Sequence, residues 1–152
     1  MRIWQKAMIG LARSERAGRW VHGSRLMQRF SSQFVAGGDV RQGAERAGNL
    51  KQSGRTASLF YLGEYVDSQE LVRENVDSLK KIIPLLEQSG LDVHISVDPT
   101  QIGSVLSWDL CRENSERIAR AIPESSNGRA NLLMLDMEDS GVTENTLATY
   151  YG

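Results

Sequence analysis

Ser58-Leu59-Phe60-Tyr61-Leu62-Gly63-Glu64, Val93-His94-Ile95-Ser96-Val97-Asp98 and Leu132-Leu133-Met134-Leu135-Asp136-Met137-Glu138 share one plan, an apolar run that ends on a carboxylate. Each is too short for a helix and reads as a buried strand. Amphipathic helical stretches separate them, and strand–helix–strand alternation implies a parallel sheet. In barrels of that kind the C-terminal strand ends carry the chemistry. The sequence therefore points to an acidic rim of Glu64, Asp98 and Asp136, with Glu138 as a further candidate.

Residues 1–55 read as helical. Ile3, Trp4, Ala7, Met8 and Leu11 fall at helical spacing, and Trp20, Leu26, Met27, Phe30 and Phe34 form a second series. Val35-Ala36-Gly37-Gly38-Asp39 interrupts them, and Asp39 is placed to cap a third helix containing Val40, Ala44, Ala47 and Leu50. Ser53-Gly54 ends it, with Gly54 suited to the left-handed position beyond a helix C-terminus.

Strands are expected at roughly 56–62, 92–97 and 131–136. Asp67 or Ser68 caps a long helix whose apolar face is Leu71, Val76, Leu79, Ile82, Ile83 and Leu86. Pro84 sits late in it and marks a kink or break. A helix across Val105, Leu106, Leu110, Ile118, Ala119 and Ile122 follows the second strand. Nearly every position of the third strand is apolar, as expected for a strand covered on both faces. Thr143 caps a final helix of about two turns before Gly152.

The fold expected is α/β: an N-terminal helical segment (1–55), then the first three β/α units of a TIM-type (β/α)8 barrel (56–152). A complete barrel takes about 250 residues. Three strands alone leave two open edges, so the chain reads as the first part of a longer barrel, cut short.

A 152-residue chain is long enough for one domain with a real core. Its 40% hydrophobic and 24% charged content fits a globular protein, and no apolar run approaches the roughly 20 residues of a membrane span. The basic, apolar start is soon interrupted by Arg13, Glu15, Arg16 and Arg19, unlike a secretory signal. The lone Cys111 excludes an intramolecular disulfide, suits a reducing compartment and reads as a buried thiol rather than a nucleophile. The net charge of −1 hides a split. Residues 1–55 hold 11 Lys/Arg against 3 Asp/Glu, whereas residues 56–152 hold 7 against 16. Basic helices packed on or facing an acidic body account for this better than a nucleic-acid arm, because the aromatic–basic interleaving of single-strand binders is missing.

Four segments resemble the N-terminal half of the proline dehydrogenase family, in family order: Phe34-Val35-Ala36-Gly37-Gly38, Leu62-Gly63-Glu64, Ser96-Val97-Asp98-Pro99-Thr100-Gln101-Ile102-Gly103 and Leu135-Asp136-Met137-Glu138. The resemblance implies a flavin (FAD) enzyme on a (β/α)8 barrel that oxidises proline to pyrroline-5-carboxylate and passes electrons to a quinone. It further implies a cytoplasmic location, with peripheral contact at the inner membrane face. Glu64 matches a first-strand glutamate that pairs with an active-site arginine from the last part of the barrel. Asp136 matches an aspartate near flavin and substrate. Asp98, Thr100 and Gln101 fall on the flavin side. Asp98 departs from the family, which usually has lysine there; the swap changes the local charge by two units, enough to alter flavin or substrate preference. The family's carboxylate-clamping arginines and most FAD contacts lie on later strands, and no G-x-G-x-x-G fingerprint offers another cradle. The chain alone is expected neither to hold FAD tightly nor to turn over.

Two other readings compete. Glu64, Asp98 and Asp136 are oxygen ligands suited to Mg²⁺ or Mn²⁺, which would make a metal-dependent barrel enzyme. Alternatively the chain is a non-catalytic interaction module that associates through its open edges. His94, within a strand, reads as packed rather than as a base, and Tyr61 and Tyr65 as packing residues.

Overall fold

The computed structural model describes residues 35–125, 128–138 and 140–151. The chain divides into two compact units, 1–38 and 39–152, and the second holds every described element. The two helical series expected before residue 35 lie outside the described residues.

Helix α1 spans Val40–Gln52, and Asp39 caps it by accepting from the amides of Arg41 and Gln42, each at 2.9 Å. Its buried face is small (Gly43, Ala44, Ala47), which lets it lie close against α2, Gln69–Gln88. Both helices end in the same way. Gly54 (φ 75°) and Gly90 (φ 65°) take left-handed backbone, and the amides of Arg55 and Leu91 reach back to the carbonyls of Leu50 and Leu86. That is the Schellman arrangement, and it satisfies carbonyls which the helix leaves open. The Lys51 ammonium also donates to the Gly90 carbonyl, tying the two ends together. Ser68 caps α2 through the Leu71 amide. Pro84 lies inside α2 without ending it, since the helix runs on to Gln88.

The sheet is parallel, in the order β1 (Leu59–Phe60), β2 (His94–Val97), β3 (Leu132–Leu135). Helices α2 and α3 (Trp108–Ala119) form the crossovers, and α4 (Thr143–Tyr151) follows β3. Register aligns Leu59 with Ile95 and Val97 with Leu135, so the strands finish at one level. Sequential parallel strands joined by helices match the expected architecture. Helix α3 starts later than its apolar spacing suggested. Ser107 caps it, and Val105 and Leu106 are exposed in the turns before it.

The strand covered on both faces is β2, not β3. Val93, Ile95 and Val97 are fully buried and Ser96 nearly so. In β3, Leu133 and Leu135 pack on the core while Leu132 and Met134 stay about 40% exposed. The reason is position: β2 lies between two strands, whereas β3 is an edge whose outer apolar face nothing covers among the described residues. No described helix is long and apolar enough to cross a membrane.

Candidate functional site

Beyond Val97 the chain turns sharply through Pro99 and on to Gly103, and this turn is buried: Thr100 is 5% exposed, Gln101 and Ile102 not at all. Buried backbone must find partners. The Thr100 carbonyl accepts from the Val66 amide (3.2 Å), and the Pro99 carbonyl accepts from the Ser104 amide (2.9 Å). The Gln101 carbonyl accepts from Asn75 Nδ2 (3.1 Å), and the Ile102 carbonyl from Asn114 Nδ2 (2.9 Å). Gly103 (φ 123°) closes the turn against Leu110.

This scaffold gathers carboxylates from all three strand ends. Oxygens of Glu64, Asp98 and Glu138 lie within 4.8 Å of one another. Asp98 is the buried member (6% exposed), Glu138 is half-buried and Glu64 is exposed. Burial pushes the Asp98 carboxyl up to about 6, and the charges of Glu138, Glu64 and Asp136 add to the effect in that order. Glu138 is fixed by Thr100, whose amide donates to Oε2 (2.9 Å) and whose hydroxyl donates to Oε1 (2.5 Å). Asp136 is exposed and accepts from the amide of its own neighbour, Met137 (2.9 Å). It therefore stands at the rim, as the sequence reading had it, while Glu138, the further candidate, joins Glu64 and Asp98 in the cluster.

Thr100 and Gln101 are committed to the protein itself. The Thr100 hydroxyl also accepts from the Tyr65 amide (3.0 Å), and the Gln101 side-chain amide donates to the Tyr61 carbonyl. Gln101 Oε1 is buried without a hydrogen-bond partner among the described residues. His94 sits at the opposite end of β2, so no imidazole of the described residues joins the carboxylates. Cys111 is fully buried, and burial raises its thiol to about 11, the behaviour of a structural thiol.

Sequence reasoning missed Asn75 and Asn114. Each is a polar residue on a buried helical face: Asn75 stands three after Val72 and four before Leu79, and Asn114 three after Cys111 and four before Ile118. A buried amide at such a place needs partners, and that signal was available.

The donor set here suits cations. The Asp98, Glu64 and Glu138 carboxylates form an anionic cluster, Thr100 and Gln101 spend their donors internally, and among the described residues no lysine or arginine pairs with them. A flavin, with its anionic pyrophosphate and a reduced ring that gains negative charge, does not fit these residues by themselves.

No family model matches the chain. Several curated proteins do. It is 32% identical over 129 residues to proline dehydrogenase 1 of Bacillus subtilis subsp. natto and 26% identical over 125 residues to proline dehydrogenase 2 of the same organism. Identity is 24% over 152 residues with proline dehydrogenase of Deinococcus radiodurans. These matches cover 85%, 82% and 97% of this chain, but only 40%, 39% and 47% of the relatives. The chain thus spans less than half the length of the curated relatives it matches. Among solved structures, proline utilization A (PutA) from Bdellovibrio bacteriovorus inactivated by N-propargylglycine superposes with a TM-score of 0.68 at 14% identity. That superposition covers 82% of this chain and 15% of the other. The fold agrees with that structure, and over most of its own length the sequence is similar to part of these proline dehydrogenases.

Proposed function

We propose that the chain supplies the acidic wall of a proline site in a proline dehydrogenase-type oxidoreductase. The observation that carries this reading is the convergence of Glu64, Asp98 and Glu138 at the C-terminal ends of parallel strands, within the segment that matches proline dehydrogenases. Proline's ring nitrogen is a secondary ammonium at neutral pH, and clustered carboxylates attract a cation. Asp98, whose carboxyl is raised to about 6 and is therefore mostly ionised at neutral pH, is suited to accept one proton from that nitrogen. Loss of that proton and of a hydride from C5, taken up by a two-electron acceptor, would give the protonated C=N bond of pyrroline-5-carboxylate. Glu64 and Asp136 orient the substrate from the rim. The family implies a flavin as that acceptor, and the resemblance extends the proposal to a quinone beyond it and to peripheral contact with the inner membrane face.

The test is a chimera in which this chain replaces its matching segment in the Bacillus proline dehydrogenase 1. A folded, yellow chimera that reduces dye with proline supports the reading. A folded, yellow chimera that ignores proline sinks proline as the substrate.

The carboxylate trio favours a second reading, a divalent-cation enzyme, with Glu138 in the place first given to Asp136. Mn²⁺ would then raise the melting temperature of the chain and not that of its Asp98→Asn variant. Equal shifts in the two proteins would dismiss this reading.

A further inference from the structure

Asn75 is 6% exposed and lies on the core face of α2 between Val72 and Leu79. Its side-chain amide donates to two carbonyls from different β/α units: Gly63, at 3.3 Å, in the loop after β1, and Gln101, at 3.1 Å, in the turn after β2. Glu64 is the next residue after the first carbonyl, and Asp98 opens the turn that holds the second. Beside this contact, the Gln101 side chain donates to the Tyr61 carbonyl. The loop that carries Glu64 therefore meets the Asp98 turn through two side-chain amides. Gly63 belongs to the same device: a Cβ there would stand 3.1 Å from Asn75 Nδ2 and 3.3 Å from Oδ1, so a methyl at 63 would push the amide by a few tenths of an ångström.

We propose that Asn75 is a positioning residue for the carboxylate cluster, its amide bridging the Gly63 and Gln101 carbonyls and so holding Glu64 against Asp98. A purely structural asparagine would cap one carbonyl of its own helix or of one loop. This one spans two strand ends, and the residue it thereby places is an acidic group. The inference rests on the reading of the cluster as the functional site.

The test reads the Asp98 titration midpoint on the intact 152-residue chain by carboxyl carbon NMR. Glu64→Gln first sets the size of the Glu64 contribution. Asn75→Leu keeps the volume and removes the donor, and Gly63→Ala crowds the same amide from the other side. Asn75→Leu should lower the Asp98 midpoint by most of the Glu64→Gln shift and Gly63→Ala by a smaller part of it, while burial and Glu138 keep it above the ordinary aspartate range. Val72→Ala, one turn away on the same face, should destabilise the chain and leave the midpoint in place. An unchanged midpoint in folded Asn75→Leu overturns the proposal, as does an equal shift in Val72→Ala. Should Asn75→Leu fail to fold, Asn75→Ala takes its place with the same expected result and the same overturning one. A chimera that fails on proline leaves this result standing, because the midpoint is read without substrate or flavin.

Discussion

Thr100 holds Glu138 by two donors at once, its backbone amide on one carboxylate oxygen and its hydroxyl on the other. The same hydroxyl accepts from the Tyr65 amide. One threonine thus joins the loop after β1, the turn after β2 and the segment after β3. Tyr65 takes φ 53°, a left-handed conformation uncommon for a non-glycine residue, and its bond to Thr100 helps to hold it there.

Thr100→Val keeps the shape and removes the hydroxyl. It leaves the Tyr65 amide and one Glu138 oxygen without that partner, and a lost buried hydrogen bond of this kind costs about 1–3 kcal/mol. Urea denaturation should show a drop in that range, with Thr100→Ser restoring most of it. A Thr100→Val protein as stable as the parent would mean that the threonine hydroxyl contributes little to the junction.

Asp98 imposes a pH dependence whose sign follows from its raised carboxyl. The folded chain holds this proton up to about 6, whereas the unfolded chain releases it near the ordinary value of 3.8. Between those points the native state binds more protons, so stability falls as pH rises, and above about 6 the full penalty persists. Asp98→Asn should therefore raise stability at pH 8 by about 1–2 kcal/mol and change it little at pH 3.5. Thermal melts of the two proteins at both pH values check this, and a constant difference across pH would contradict it.

Gly103 combines φ 123° with a close approach: a Cβ would sit 2.9 Å from Leu110 Cγ. Gly103→Ala should cost about 2 kcal/mol or more, from backbone strain and the clash together. Adding Leu110→Ala removes the clash and leaves the strain, so the double variant should stay less stable than Leu110→Ala alone. Chemical denaturation of the four proteins separates the two effects.

The outer face of β3 offers exposed Leu132 and Met134 beside a strand edge that no other described strand pairs. Such an edge is a template for association. Sedimentation should show self-association of the chain at high concentration, and Met134→Lys should reduce it without lowering the melting temperature, because this side chain leaves little of the core when replaced. Monomeric behaviour throughout would dismiss the face as a contact surface.

Local rules made much of the fold legible. Asp39 and Ser68 cap helices where their spacing put them, and Gly54 and Gly90 end helices in left-handed backbone. The three strands lie inside the predicted spans because apolar runs between helices leave few alternatives. What escaped depends on partners distant in sequence. Glu138 stood only as a further candidate because nothing nearby in sequence shows that Thr100 would hold it. Leu132 and Met134 looked buried because composition cannot distinguish a central strand from an edge. Asn75 and Asn114 were hidden by the apolar residues around them, although a lone amide on such a face marks a carbonyl that must be met.

The bond between the Thr100 amide and Glu138 joins positions 38 residues apart. Closing so long a segment carries an entropic cost that helices α2 and α3 do not bear when they form locally. The acidic cluster is therefore expected to assemble late in folding, after β3 has found its register beside β2. Isotope exchange at the Thr100 amide then becomes a clock for that event, slow while the three strand ends stay joined and fast once β3 lets go.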